Sequence, residues 1–265
     1  MSSPAPPYAA RLIVAPSKSA VSAPLHRIVI NSCSLALSSR GSFSVALSGG
    51  SLPSFLSGLS ASFDEAGVDP KFDKWRVVLA DERCVPSTDG DSNLKALREK
   101  FLAGVPIPEE NLYGIDETLL GEDHTTSDVA KAYEASLNQA LSHTGNMIDM
   151  AVLGFGPDGH TCSLFPNRPL LKVNGSLVAS IEDSPKPPPK RITLTFKVLN
   201  KMTRGVVFCG AGSSKGPILK EVFAEVAAGK DSGIFDVVMV DPAPYPCGMV
   251  RPVAGGETLV SVVAW

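Results

Sequence analysis

The chain has 265 residues, 44% of them hydrophobic, enough apolar mass for one large α/β domain or two small ones without disulfide staples. With 24 Lys and Arg against 27 Asp and Glu, the net charge of -3 argues against nucleic acid as a partner, because a phosphate backbone requires clustered basic side chains. Five cysteines, Cys33, Cys84, Cys162, Cys209 and Cys247, are widely spaced and form no C-x-x-C pair, so neither a disulfide framework nor a zinc ribbon is indicated.

In chain order, residues 1–10 carry Pro and Ser where a secretory leader needs a basic and then a long apolar run. No segment approaches the ~20 apolar residues of a membrane span. The C-terminal Val263-Ala264-Trp265 is not a peroxisomal address. A cytoplasmic protein with no membrane partner is expected, with a monomer as the default.

Residues 20–39 place Val21, Leu25, Ile28, Val29, Leu35 and Ala36 at helical spacing. Phe43 to Leu47 then reads as a strand running into Ser48-Gly49-Gly50-Ser51 and a helix over 52–59. Trp75 to Ala80 reads as a strand, followed by a polar loop at Asp81-Glu82-Arg83. Helices are expected over 93–102 and 126–141, and a third strand over 148–153. Strands follow at 177–181, 191–196 and 205–209, a helix at 217–228, and strands at 235–240 and 259–263. Residues 241–257 are too rich in Pro and Gly to assign.

Helices alternating with continuously apolar strands favour a mostly parallel sheet covered on both faces, in a single α/β domain over 1–265. The Pro-rich stretch 184–190 fits a stiff extended loop better than a linker.

Four loops carry groups with chemistry. Ser48-Gly49-Gly50-Ser51 follows a strand and precedes a helix, so its N–H groups could face an anion; a plain tight turn is the alternative. A nucleophilic Ser48 lacks the G-x-S-x-G elbow, since Ala46 stands where the first Gly belongs. Arg83 follows a parallel neighbour strand, where it serves either bidentate phosphate binding or a surface ion pair. Lys215 sits in a third strand-to-helix loop, Gly210 to Gly216.

Gly154-Phe155-Gly156-Pro157-Asp158-Gly159-His160-Thr161 is the most informative of the four. It also matches G-x-G-x-x-G, but Asp158 would face a pyrophosphate with the wrong charge, and Pro166 and Pro169 interrupt the helix that should follow. Asp158, His160 and Cys162 have the ligand chemistry for a metal, but three residues so close in sequence rarely complete a site, and no zinc signature surrounds them. Acid–base chemistry by His160, oriented by Asp158, is the better fit, against a histidine that merely caps the loop. His26, His124 and His143 lie in or beside helices and read as structural or solvent-facing.

Leu47 to Ser51, Asp81-Glu82-Arg83, Gly156 to Pro166 and Ser184-Pro185-Lys186-Pro187-Pro188-Pro189-Lys190-Arg191 together resemble the signatures of the 6-phosphogluconolactonase family, in matching order over about residues 40 to 225. The resemblance implies a Rossmann-like fold of the deaminase/ribose-5-phosphate isomerase type. It implies hydrolysis of 6-phospho-D-glucono-1,5-lactone, a small phosphosugar lactone, to 6-phosphogluconate, with no cofactor and no metal. It implies His160 as general base and Asp158 as its orienter. Arg83, the Ser48, Gly49, Gly50 and Ser51 turn, Lys215 and Arg191 would hold phosphate or substrate oxygens. Two rivals stand beside this reading. A deaminase of the glucosamine-6-phosphate type carries a Glu seven residues after the Asp, where this chain has Phe165. A non-catalytic sugar-phosphate sensor would keep only the anion site.

Overall fold

The computed structural model describes residues 8–224, 231–252 and 259–264. The chain opens with β1 (Ala9–Val14), absent from the sequence reading, then α1 (Ser22–Arg40) and β2 (Phe43–Leu47). Helix α1 buries Leu25, Val29, Cys33 and Ala36 on one stripe and stops at Gly41. There φ is 72°, a conformation that costs glycine little, and the Gly41 N–H donates to the Leu37 carbonyl.

The helix expected over 52–59 is two helices, α2 (Leu52–Leu56) and α3 (Leu59–Glu65), broken at Gly58 with φ 80°. Next come β3 (Trp75–Leu79), β4 (Asp81–Arg83), α4 (Asn93–Lys100), β5 (Leu112–Tyr113) and α5 (Thr126–Leu141). Helix α5 begins where expected because Thr125 and Asp128 form a reciprocal capping box. Its Tyr133 hydroxyl donates to the Leu79 carbonyl at 2.9 Å and accepts from the Leu79 N–H at 2.6 Å, fixing the end of β3.

Strand β6 (Ile148–Gly154) is followed by β7 (Val178–Ile181), β8 (Arg191–Leu194), α6 (Phe196–Lys201), β9 (Thr203–Ala211) and α7 (Gly216–Val222). The strand expected over 191–196 stops at Leu194, and Phe196 opens α6 instead. The helix expected over 217–228 ends at Val222, because β10 (Phe223–Ala224) peels away to pair with β11 (Gly233–Met239). The rest of that expectation, 225–228, lies outside the described residues, as do 1–7 of the leader reading and Trp265. Helix α8 (Pro246–Met249) and β12 (Leu259–Ala264) complete the chain.

Nine strands form one sheet in the order β10-β11-β1-β12-β9-β6-β2-β3-β5. It is parallel from β1 to β5 and antiparallel at the β10-β11-β1 end. The architecture is therefore the α/β one expected, a mostly parallel sheet with helices packed against it. Every residue of β2 is buried, as befits a central parallel strand. Phe43 and Trp75, side by side on β2 and β3, meet edge to face at 4.7 Å, worth about 0.5–1.5 kcal/mol beyond burial.

One departure concerns the site directly. Asp81-Glu82-Arg83 is not a polar loop but a strand, in a separate sheet ordered β4-β8-β7. Pairing with β8, a segment distant in sequence (Asp81 opposite Thr193), supplies the backbone partners that make an extended segment possible here.

The parallel register brings the carboxyl ends of the strands to one edge. Leu47 pairs with both Leu79 and Val152, and Gly154 pairs with Cys209. The chain moves outward from β2 to β3 and β5, then returns to β6 on the other side of β2. A cleft at such a reversal, beyond the strand ends, is where an open α/β sheet binds ligands.

Candidate active site

The first wall of this cleft is the turn after β2. Ser48 donates its N–H to the Val152 carbonyl at 3.1 Å, so the turn starts in fixed register. A Cβ on Gly49 would lie 1.8 Å from Asn93 Oδ1. Only glycine lets Asn93 approach, and Asn93 Nδ2 in turn donates to the Asp81 carbonyl at 2.8 Å. Buried Glu82 accepts from the Asn93 and Leu94 N–H groups at 2.8 and 2.9 Å. A carboxylate at the start of α4 satisfies orphan donors and ties β4 to that helix.

The second wall is cationic. In the β4–β8 register Arg83 stands directly opposite Arg191. Like charges in that relation repel unless an anion lies between them. Arg83 donates Nη1 to the Asp91 carbonyl, and its buried Nε has no partner. Arg191 is more committed: Nε bonds the Pro188 carbonyl at 2.9 Å, and Nη2 bonds the Lys186 and Pro187 carbonyls at 2.9 and 2.8 Å. Arg191 thus straps the Pro-rich loop to the site while forming part of the cleft wall. Burial, then the charge of Arg83, pushes its pKa down. Asp81 is wholly buried, accepts from Ser163 Oγ at 2.8 Å, and is driven above the usual carboxylate range by desolvation.

The third wall is the loop after β6. Gly156 and Gly159 close a tight turn, with Gly156 N–H donating to the His160 carbonyl at 2.8 Å and Gly159 N–H to the Gly156 carbonyl at 3.0 Å. The turn folds Asp158 back so that its Oδ1 bonds His160 Nδ1. The imidazole stacks on Phe165, with ring centres 4.8 Å apart and planes 29° from parallel. Burial is the largest influence on His160 and holds its pKa below the usual histidine value, with Lys186 adding to it and Asp158 opposing. Burial alone would raise Asp158, but the hydrogen bond and charge of His160 and the charge of Lys186 outweigh it and keep its pKa low.

Two lysines complete the cleft. Lys215 donates to the Phe155 carbonyl and lies 4.9 Å from the Phe155 ring centre; desolvation lowers its pKa. Lys186, whose Pro-rich loop carries no local sign of a role for it, places Nζ 3.3 Å from Asp158 Oδ2 and 3.1 Å from His160 Nδ1. Its signal was present in Ser184 to Arg191, but nothing local said the loop would fold over the imidazole. Asn93 and Phe165 were likewise missed, since each matters only through a partner distant in sequence.

The cleft encloses about 290 Å³, near the lower end of small-ligand pockets at roughly 300–1,000 Å³. Ser48, Gly49, Gly50, Ser51, Arg83, His160, Arg191 and Lys215 all line it, and Asp158 stands behind His160. A larger hollow of about 600 Å³ lies beside α5, but its Glu134 is engaged by the Leu177 and Val178 N–H groups and no cationic cluster faces it. His26 is buried between Ser62 and the Phe55 carbonyl, while His124 and His143 are exposed.

The fold and cleft define an α/β protein whose loops gather a His–Asp pair and four basic side chains at the switch point of a parallel sheet. The chain belongs to the glucosamine-6-phosphate isomerases/6-phosphogluconolactonase family, which matches residues 16–259. It is 36% identical over 259 residues to the 6-phosphogluconolactonase of Bos taurus, covering 96% of this chain and 91% of that one. Against the 6-phosphogluconolactonase of Rattus norvegicus the identity is 42% over 188 residues, 70% of each chain. The crystal structure of 6-phosphogluconolactonase from Leishmania guyanensis superposes with a TM-score of 0.73 at 23% identity, covering 96% of this chain and 95% of that one, a likeness of fold.

Proposed function

We propose that this protein hydrolyses 6-phospho-D-glucono-1,5-lactone to 6-phospho-D-gluconate, the second step of the oxidative pentose phosphate pathway. The observation that carries the reading is the buried His160, bonded to Asp158, stacked on Phe165 and facing a cleft of basic side chains. Relatives named for this activity, aligned along most of the chain, support it. The deaminase rival needs a carboxylate where Phe165 stands, and that ring is occupied in stacking on the imidazole. The protein is proposed to act as a single domain, in the cytoplasm, on a small-molecule substrate and without a cofactor.

In the proposed mechanism, Asp158 is ionised and accepts only, so the bond to Nδ1 assigns the proton to Nδ1 and leaves the Nε2 lone pair free. Lys186, a donor only, then bonds Asp158 rather than the ring, and its charge disfavours a second proton on His160. Nε2 takes a proton from water as the oxygen attacks the lactone carbonyl. The tetrahedral intermediate collapses, the ring C–O bond breaks, and the departing oxygen receives that proton from the imidazolium. Arg83, Arg191, Lys215 and the Ser48 to Ser51 turn hold the phosphate and substrate oxygens, which supplies orientation. A δ-lactone is already activated, so no covalent nucleophile is needed.

The direct test is a coupled assay on freshly generated 6-phosphogluconolactone, with ammonia release from glucosamine 6-phosphate as the counter-assay. Lactone opening well above the spontaneous rate, with negligible ammonia, is expected; comparable ammonia release would transfer the assignment to the deaminase.

The pH dependence follows from the same groups. Only the neutral ring accepts a proton, so hydrolysis falls as pH drops through the His160 pKa. Because that pKa is depressed, the acid limb is expected below the ordinary value of about 6.5. Background-corrected kcat/KM from pH 4 to 8 checks it, and a midpoint above 7 would contradict the depressed imidazole.

A further inference from the structure

The residue between the acid and the base, Gly159, is gripped from outside the cleft. Its φ is 77°, and a Cβ added there would lie 2.5 Å from Tyr245 Cβ and Cγ, so the tyrosine packs directly on the Gly159 backbone. The Cys247 N–H donates to the Gly159 carbonyl at 3.0 Å. Tyr245 is itself anchored: its hydroxyl donates to Glu221 Oε2 on α7 at 2.8 Å, and its carbonyl accepts from the Gly248 and Met249 N–H groups at 2.9 and 3.1 Å. Cys247 and Val250 are buried alongside.

Helix α7 also follows directly on Lys215, whose ammonium bonds the Phe155 carbonyl at the start of the same loop. The loop from Phe155 to His160 is therefore tied at one end by Lys215 and at the other through Tyr245 and Glu221 to a single element.

We infer that Tyr245 is a positioning residue: its ring wedges Gly159 and so holds Asp158 in line with His160 Nδ1. The inference rests on the reading of His160 as the general base. The ring is what fills the space against Gly159, whereas the hydroxyl bond lies at the exposed surface and adds little. Without the ring, Gly159 can move toward the vacated volume and the Asp158–His160 bond loosens, while the phosphate-holding groups stay in place.

The test compares Tyr245→Ala and Tyr245→Phe in the full chain, with His160→Ala alongside. For Tyr245→Ala we expect kcat to fall about 10-fold or more, since a misplacement near 1 Å costs up to about 10²-fold. KM should change less than about twofold, because uniform binding is untouched. Tyr245→Phe should recover kcat to within about threefold, as it restores the ring. The downfield Nδ1–H proton resonance of His160 should broaden or vanish in Tyr245→Ala and return in Tyr245→Phe. If Tyr245→Ala is recovered unfolded, Tyr245→Val, which keeps a branched stub but no ring, is read in its place. Normal kcat with an unchanged Nδ1–H resonance overturns the inference, as does a loss that Phe fails to restore. If His160→Ala retains turnover, the general-base reading itself has failed, a result distinct from either.

Discussion

Replacing His160 with alanine is expected to lower lactone hydrolysis by about two orders of magnitude or more, the usual contribution of a positioned general base. Binding of 6-phosphogluconate should stay nearly intact. The separation follows from geometry: the ring bonds Asp158, which Lys186 also bonds, and the remaining basic groups of the cleft are anchored on backbone carbonyls rather than on the imidazole. Arg191 is strapped to the carbonyls of residues 186–188, and Lys215 to that of Phe155, so neither depends on the imidazole. Turnover measured with the coupled assay, and product affinity by calorimetry, decide the matter. Unchanged turnover removes His160 from the mechanism; lost activity with intact binding also excludes a non-catalytic sensor.

Gly156→Ala is expected to reduce kcat by roughly 10²-fold while leaving the fold in place. A Cβ at this position would lie 2.1 Å from His160 Nδ1 and Cε1 and 2.3 Å from Asp158 Oδ1. Ordinary contacts between such atoms need about 3.5 Å, so the ring and the carboxylate must both retreat by roughly 1 Å. The atoms that yield are side-chain ends, 19% and 40% exposed, rather than packed backbone. The stability cost should therefore be about 1 kcal/mol or less, a shift in Tm of some 2–4 °C. Kinetics and thermal melts of the purified variant test this directly. A variant with normal kcat would show that the Asp158–His160 contact is not needed for turnover.

Much of the site was legible from local order. Three of its loops follow continuous apolar strands, and parallel strands place such loops on one edge, which brings Ser48 to Ser51, Asp158, His160 and Lys215 together. Arg83 and Arg191 reach the same cleft by another route, through the antiparallel β4–β8 pair. The limits were also local in kind. Asp81 to Arg83 contains nothing strand-like, and it is extended because β8 pairs with it and Glu82 caps α4. The helix after Lys215 was read too long because its end is set by β10 joining β11, across a stretch of chain that a periodicity window does not span.

What the amino-acid order alone determined was the α/β class and which chemistry-bearing side chains each loop presents, because apolar periodicity and glycine spacing act over a few residues. What the tertiary structure decided was who stands next to whom: Lys186 beside the imidazole, Phe165 beneath it, Asn93 against Gly49 and Tyr245 behind Gly159. Those neighbours come from crossings between distant segments, and their energies depend on separations of a few ångströms that no local pattern encodes.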